Sequence, residues 1–143
     1  GRVGTVSRSG SITYYVADTL TRTGYGESTC VGLGGDPVLG STFDEILLKF
    51  EEDEQTKAVV MCGEIGGVYE ERATDAIRSM KTPVLAMIGG VYAPPGKRMG
   101  HAGAIVEGKM GTAKEKLEML SEAGAHACRT FMDIPETLKK LGV

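Results

Sequence analysis

Only two histidines occur among the 143 residues. One, His101, lies in the stretch 96–105, Gly-Lys-Arg-Met-Gly-His-Ala-Gly-Ala-Ile, between Gly100 and Ala102-Gly103 and just after the basic pair Lys97 and Arg98. Such a stretch buries little side chain of its own, so it presents one imidazole while small neighbours let a large partner approach. A glycine-rich surface turn with a solvent-facing histidine has the same local sequence, and the choice depends on what the fold brings beside it. Glu64 sits between an apolar run and Ile65-Gly66-Gly67, either as a solvent-facing strand end or as a charge in need of a partner. Ser9-Gly10-Ser11 stands where a β-branched run hands over to a helical pattern. A helix N-terminus offers unpaired amides and the positive end of its dipole, which with two hydroxyls makes a phosphate-sized anion pocket; the alternative is ordinary capping by Ser9 or Ser11. Were Glu64 to meet His101, it would hold the proton of one ring nitrogen and leave the other as a nucleophile. Histidine as a phosphoryl acceptor then fits the surroundings: a nucleophilic nitrogen, an orienting carboxylate and a helix N-terminus for the transferred oxygens.

The elements that must position these residues follow from periodicity. Residues 2–7 read as a first strand, followed by a helix carrying Ile12, Val16 and Leu20 to a stop at Gly24. Residues 28–33 form a second strand ending in Gly34-Gly35-Asp36-Pro37. Thr42 and Glu45 make a capping box for a helix whose stripe is Ile46, Leu47 and Phe50. Residues 57–62 are the third strand, residues 69–80 a third helix facing Ala73, Ala76, Ile77 and Met80 inward, and residues 83–88 the fourth strand. Residues 89–111 are the longest non-periodic segment; loops of that length in a compact domain are functional or disordered, and its alanine-glycine content argues against a charged, floppy tail. Thr112 with Glu115 opens a helix through Leu117 and Leu120 to Gly124, residues 125–129 form a short fifth strand, and Asp133-Ile134-Pro135-Glu136 is a third capping box before a last helix ending at Gly142. Strict alternation of buried strands and helices gives an α/β class: a flavodoxin-like three-layer sandwich with a five-stranded parallel sheet as one domain over residues 1–143, with order 2-1-3-4-5 expected although alternation does not rank it over other doubly wound orders. In that order the loops carrying Ser9, Glu64 and His101 all leave strand carboxyl ends on one side, where ligands of such sheets gather.

Composition excludes several classes. Sixteen basic and nineteen acidic residues are interspersed at a net charge of −3, which is no footprint for nucleic acid or a polyanionic membrane. No apolar run reaches the ~18 residues of a membrane span, and no signal peptide is expected. Cys30, Cys62 and Cys128 show no metal-site spacing and read as reduced core residues of an intracellular, cytoplasmic chain. His126, in a short apolar stretch, reads as structural, and no metal site is expected. The opening Gly-Arg-Val-Gly precedes its strand and so is no dinucleotide fingerprint, and no Walker A pattern occurs. A chain starting at Gly1 directly before a strand is expected to be a processed or excised domain.

Four stretches, Val6-Ser7-Arg8-Ser9-Gly10, Ser28-Thr29-Cys30-Val31-Gly32-Leu33-Gly34-Gly35-Asp36-Pro37, Gly63-Glu64-Ile65-Gly66-Gly67 and residues 96–105, run in order across essentially the whole chain. Together they resemble the carboxyl-terminal, ligase-type domain of the succinyl-CoA synthetase (succinate–CoA ligase) α subunit. The resemblance implies that His101 is transiently phosphorylated, that Glu64 steadies it, and that Ser9 and Gly10 open the helix whose amino end holds the phosphoryl group. It implies interconversion of succinate, CoA and a nucleoside triphosphate with succinyl-CoA, nucleoside diphosphate and phosphate, through succinyl phosphate, magnesium accompanying the nucleotide (ATP or GTP). It implies as partners a β subunit with a nucleotide-grasp domain and a preceding CoA-binding domain; nothing here resembles either, so a fragment inactive alone is expected, holding at most phosphate or sulfate. A eukaryotic form would lie in the mitochondrial matrix. Tyr15 stands where relatives commonly have glutamate, and Pro95 precedes Gly96 where they vary. Both leave room for a malate–CoA ligase or ATP-citrate lyase type of enzyme, and a non-catalytic binding module of the same fold is the rival of another class.

Overall fold

The computed structural model describes residues 1–94, 96–106 and 111–143; Pro95 and the end of the 89–111 loop lie outside the described residues. Five strands, β1 (Val3–Ser7), β2 (Glu27–Gly32), β3 (Ala58–Glu64), β4 (Val84–Gly89) and β5 (His126–Ala127), alternate with helices α1 (Gly10–Arg22), α2 (Phe43–Glu52), the short pair α3 (Tyr69–Arg72) and α4 (Thr74–Ser79), α5 (Ala113–Glu122) and α6 (Asp133–Leu141). The strands are all parallel in the order β2-β1-β3-β4-β5, as expected.

Period-two burial on the central strands makes both faces of the sheet apolar. Val3, Ala58, Val60, Cys62, Leu85 and Met87 meet Val16 and Leu20 of α1 and Ile134 and Leu138 of α6. The opposite face, Val6, Val59, Met61, Val84, Ala86 and Ile88, is covered by Phe43, Leu47 and Phe50 of α2, Ile77 of α4 and Leu120 of α5. Gly4 on β1 leaves the space taken by the Phe50 ring, whose atoms lie 2.6–2.9 Å from where a Cβ would stand.

Helix starts follow local chemistry. Ser9 caps α1, its hydroxyl oxygen accepting from the Ile12 amide at 3.3 Å. The Thr42–Glu45 box closes at α2, with the Thr42 amide donating to the Glu45 carboxylate at 3.0 Å. At α5 the box is displaced by one residue: Thr112 Oγ1 accepts from the Glu115 amide, while the Glu115 carboxylate takes the Gly111 amide.

Several expectations are corrected. The helix over 69–80 is broken at Ala73 into α3 and α4, and Met80 is only half-buried beyond its end. The fifth strand has two residues instead of five, because only Leu85 and Ala86 of β4 pair with it. No box forms at Asp133; its carboxylate reaches backward to the Arg129 and Thr130 amides at 2.7 and 2.9 Å, holding the turn before α6. Cys62 and Cys128 are buried, but Cys30 is exposed, because β2 is an edge strand and not one covered on both faces. Burial pushes the Cys62 thiol up to about 12. His126 is exposed on β5.

Two outcomes are expected. Gly4→Ala drives a methyl into Phe50 and lowers unfolding free energy by about 1–3 kcal/mol in urea titration. The Glu51 carboxyl, which accepts the Lys81 and Thr82 amides, and the Asp133 carboxyl, which accepts those of Thr130 and Arg129, are both held below their ordinary range. Their stabilisation is complete above the ordinary carboxylate pKa and is lost as pH falls through the lowered folded-state values. Glu51→Gln and Asp133→Asn therefore lower Tm near neutrality and flatten its fall below about pH 4.

Candidate active site

Parallel pairing of β1 with β3 sets Ser7 opposite Cys62, so the two strands deliver Arg8 and Glu64 at the same end of the sheet. Arg8 is tied there by its amide, which donates to the Cys62 carbonyl at 3.0 Å. The loop after β2 joins them: the Leu33 amide donates to the Ser7 carbonyl at 2.8 Å, and Gly35 follows two residues on. His101 arrives from the long loop after β4. Buried Ala104 and Val106 pin that loop to the core, with the Met99 amide on the Ala104 carbonyl at 2.8 Å and the Gly96 amide on that of Val106 at 3.0 Å.

The sequence-based pair is brought together: His101 Nδ1 lies 2.5 Å from Glu64 Oε2. Since an ionised carboxylate only accepts, the shared proton is Nδ1–H, and Nε2 is the ring nitrogen left for bond formation. The imidazole is 35 % exposed and the Glu64 side chain 10 %, so the carboxylate is fixed from within while the ring is reachable from solvent. Ser9, Gly10 and Ser11 stand at the first turn of α1, directly after Arg8. Ser7 Oγ donates to the Ser9 carbonyl and accepts the Ser9 amide, and Ser9 Oγ caps the helix, which is the alternative to phosphate binding that the sequence offered for Ser9 or Ser11. Gly10 and Ser11 are exposed, and the space over Gly10 is open.

Glu64 is held by charges that the motif reading did not single out. Arg8 is buried, with Nη2 3.0 Å from Glu64 Oε1, Nη1 3.4 Å from Glu70 Oε1, and its guanidinium carbon 4.6 Å from the Tyr69 ring centroid. Glu70, also fully buried, accepts the Glu64 amide on Oε1 at 3.0 Å. Lys116 is the third buried charge; its Nζ donates to Glu70 Oε2 and to the Gly66 carbonyl at 2.7 Å, and lies 3.4 Å from Glu71. A signal for two of these was present: Glu70, Ala73 and Ile77, and likewise Ala113, Lys116 and Leu120, follow the three-four spacing of a single buried helix face.

Glycine supplies clearance around the pair. A Cβ on Gly35 would fall 2.1 Å from His101 Nδ1, and one on Gly63 would meet the Glu70 side chain at 2.5 Å. Gly66 has φ +80° and lies so close to the Gly103 and Ile105 backbone that a Cβ would reach the Gly103 carbonyl oxygen at 2.4 Å. Tyr15 packs on Phe131, ring centroids 5.5 Å apart, which gives the departure at that position a structural role between α1 and the start of α6. Gly35→Ala is expected to displace the imidazole and remove the Nδ1–H···Glu64 bond. NMR of the imidazole should show the hydrogen-bonded Nδ1 proton lost while Tm falls by only a few degrees.

Residues 6–126 match the family described as CoA-ligase. The chain is 59 % identical over 144 residues to the ADP-forming succinate–CoA ligase subunit alpha of Methanothermobacter thermautotrophicus, covering 100 % of this chain and 49 % of the relative. It is 52 % identical over 141 residues to subunit alpha 1 of the same type from Archaeoglobus fulgidus, covering 99 % and 48 %. The chain thus spans about half the length of these curated relatives. Among solved structures, it superposes on an ATP citrate lyase of Methanosaeta concilii in complex with (3S)-citryl-CoA at TM-score 0.89 and 30 % identity, over 98 % of this chain and 24 % of that one. A dinucleotide-forming acetyl-coenzyme A synthetase of Ca. Korarchaeum cryptofilum shares the fold at TM-score 0.70 and 15 % identity, over 95 % of this chain and 29 % of that one. With the family match covering most of its length and these relatives aligned along nearly all of it, the chain belongs to the CoA-ligase family.

Proposed function

We propose that this chain is the histidine-bearing part of a nucleotide-dependent succinate–CoA ligase α subunit, working with a preceding CoA-binding domain and a β subunit that grasps the nucleotide. The carrying observation is the His101–Glu64 hydrogen bond, which leaves Nε2 as the reacting nitrogen. In this reading Nε2 attacks the γ-phosphorus, the P–N bond forms, and nucleoside diphosphate leaves with the electrons of the broken P–O bond. Glu64 keeps the Nδ1 proton and stabilises the positive charge that develops on the ring. A carboxylate oxygen of succinate then attacks phosphorus, breaking the P–N bond and giving succinyl phosphate. The CoA sulfur, having lost its proton, attacks the acyl carbon and phosphate departs. Ser9, Gly10 and Ser11 at the α1 N-terminus are assigned to hold the phosphoryl oxygens, with the Gly10 and Ser11 amides and the serine hydroxyls as donors, since the Ser9 amide is taken by Ser7 Oγ.

Among the described residues no three carboxylate, histidine or cysteine side chains converge as ligands, so magnesium is assigned to the nucleotide substrate, and no step here is routed through it. No helix among the described residues is long and apolar enough to cross a membrane. A second reading, the corresponding part of an ATP citrate lyase, is supported by the 0.89 TM-score; the 52–59 % identities to succinate–CoA ligase subunits, against 30 %, favour the first.

The test uses the complete α subunit co-purified with its β partner, magnesium and γ-labelled nucleotide. Acid-labile, base-stable label is expected on His101, lost in His101→Ala and discharged by succinate plus CoA. Discharge by citrate plus CoA alone would select the second reading, and no label on a folded complex would overturn both.

A further inference from the structure

The proposed reaction needs His101, Glu64 and the start of α1, yet the largest investment of buried charge lies deeper, in residues that touch no reacting atom. Glu70 and Lys116 side chains are both fully buried, on two different helices. Burying two ions is unfavourable unless geometry compensates, and a hydrophobic pair of the same volume would often serve stability as well. Their contacts run toward one place. Glu70 Oε1 accepts the amide of Glu64 and the guanidinium of Arg8, which in turn holds Glu64 Oε1. Lys116 holds Glu70 Oε2 and, at 2.7 Å, the carbonyl of Gly66, the residue against which the backbone of Gly103 and Ile105 packs. One ion pair thus grips both sides of the His101–Glu64 bond: the carboxylate through Glu70 and Arg8, the histidine loop through Gly66.

We propose that Glu70 and Lys116 are positioning residues that set the orientation and the electrostatic potential at His101. The inference deepens the phosphohistidine reading and rests on it for its consequence in turnover. The charges that surround His101 are Glu64 from β3, Arg8 beyond β1, Glu70 and Glu71 from α3 and Lys116 from α5, with exposed Asp36 beside Gly35 and exposed Lys97 and Arg98 on its own loop. Of this set, the cations are Arg8 and Lys116 and the carboxylates Glu64, Glu70 and the partly exposed Glu71, so the charge facing the imidazole depends on how Arg8 is divided between Glu64 and Glu70. Arg8 is shared between Glu70 and Glu64. Neutralising Glu70 turns the whole guanidinium charge onto Glu64 and weakens its hold on the imidazolium. Neutralising Lys116 leaves Glu70 to draw Arg8 away, and the potential at His101 becomes more negative. The two substitutions therefore act in opposite directions electrostatically, which simple loosening of a core does not do.

The test follows His101 by imidazole NMR titration in the full chain, where His126 is the one other histidine. Glu70→Gln, which keeps an acceptor for the Glu64 amide, is expected to lower the His101 midpoint by on the order of half a pH unit. Lys116→Met is expected to raise it by a similar amount, and the double variant to return near the starting value. Glu71→Gln, at a side chain 20 % exposed, is expected to shift the midpoint down by less. Midpoints unmoved in folded variants, or moved the same way by both single substitutions, would overturn the proposal. Should Lys116→Met not fold, Glu70→Gln and Glu71→Gln decide: downward shifts in rank order support it, and unmoved midpoints reject it. In the assembled enzyme, Glu70→Gln is expected to slow phosphorylation of His101 about tenfold or more, with KM for nucleotide little changed. An unaltered rate would reject the positioning role. A wild-type enzyme that takes no phosphate would defeat the phosphohistidine reading alone, since the titration cycle reads the same charges without turnover.

Discussion

A guanidinium sealed from water at the end of a β-strand must find its counter-charges within a few ångströms, and that requirement at Arg8 shapes the end of this sheet. Its side chain has no exposure, and both carboxylates it meets, Glu64 and Glu70, are themselves enclosed. Two carboxylates around one cation leave a negative excess, which Lys116 relieves from α5. None of these groups is affordable singly in the interior, where removing one partner of such a set costs about 3–5 kcal/mol. The set is therefore an all-or-none unit, and the outermost member, His101, inherits its position from it.

Topology makes this unit possible. In an all-parallel sheet every strand ends on the same side, and the central neighbours β1 and β3 place their last residues one strand spacing apart. Arg8 and Glu64 need no long reach to meet. The loops after β2 and β4 must then pass close over them, and the main chain approaches where side chains are missing: Gly35 under the imidazole, Gly63 beside Glu70, Gly66 against the backbone of Gly103 and Ile105. Each glycine gives up packing area so that a charged or reactive group can sit where the charge set needs it. The architecture is shared down to 15 % identity, as the acetyl-coenzyme A synthetase superposition shows.

The strand-helix alternation was legible in the chain, because it depends on local patterns; the strand order was one of several doubly wound orders that alternation allows, and the meeting of Glu64 with His101 followed only once the order 2-1-3-4-5 was taken. What escaped depends on exceptions to those patterns. Glu70 and Lys116 occupy helix faces that periodicity marks as buried, yet their charge hides them from a reading that follows apolar residues alone. Cys30 failed for the converse reason: its run is apolar enough for a core strand, but edge position is a property of the sheet, and β2 has a neighbour on one side only. At Asp133 the serviceable spacing to Glu136 signalled a box, while the carboxylate found two nearer amides upstream.

In the proposed reading a phosphoryl group on His101 has to move between sites, and the same geometry constrains that motion. To travel, the imidazole must release Glu64, and its loop must either bend at the exposed glycines Gly96 and Gly100 or withdraw what anchors it. Withdrawal exposes Val106 and Ala104, of which the valine alone is worth about 1.5–3 kcal/mol of burial. It also breaks the amide–carbonyl bonds that tie Gly96 to Val106 and Gly103 to Gly35. Bending within residues 96–103 leaves those two side chains in the core and sacrifices the Glu64 bond together with the Gly103–Gly35 contact. The cheaper route keeps the anchor and swings the tip. In that motion Glu64 stays behind, held by Arg8 and by Glu70, so the charge that received the imidazole on the way out is in place when it returns.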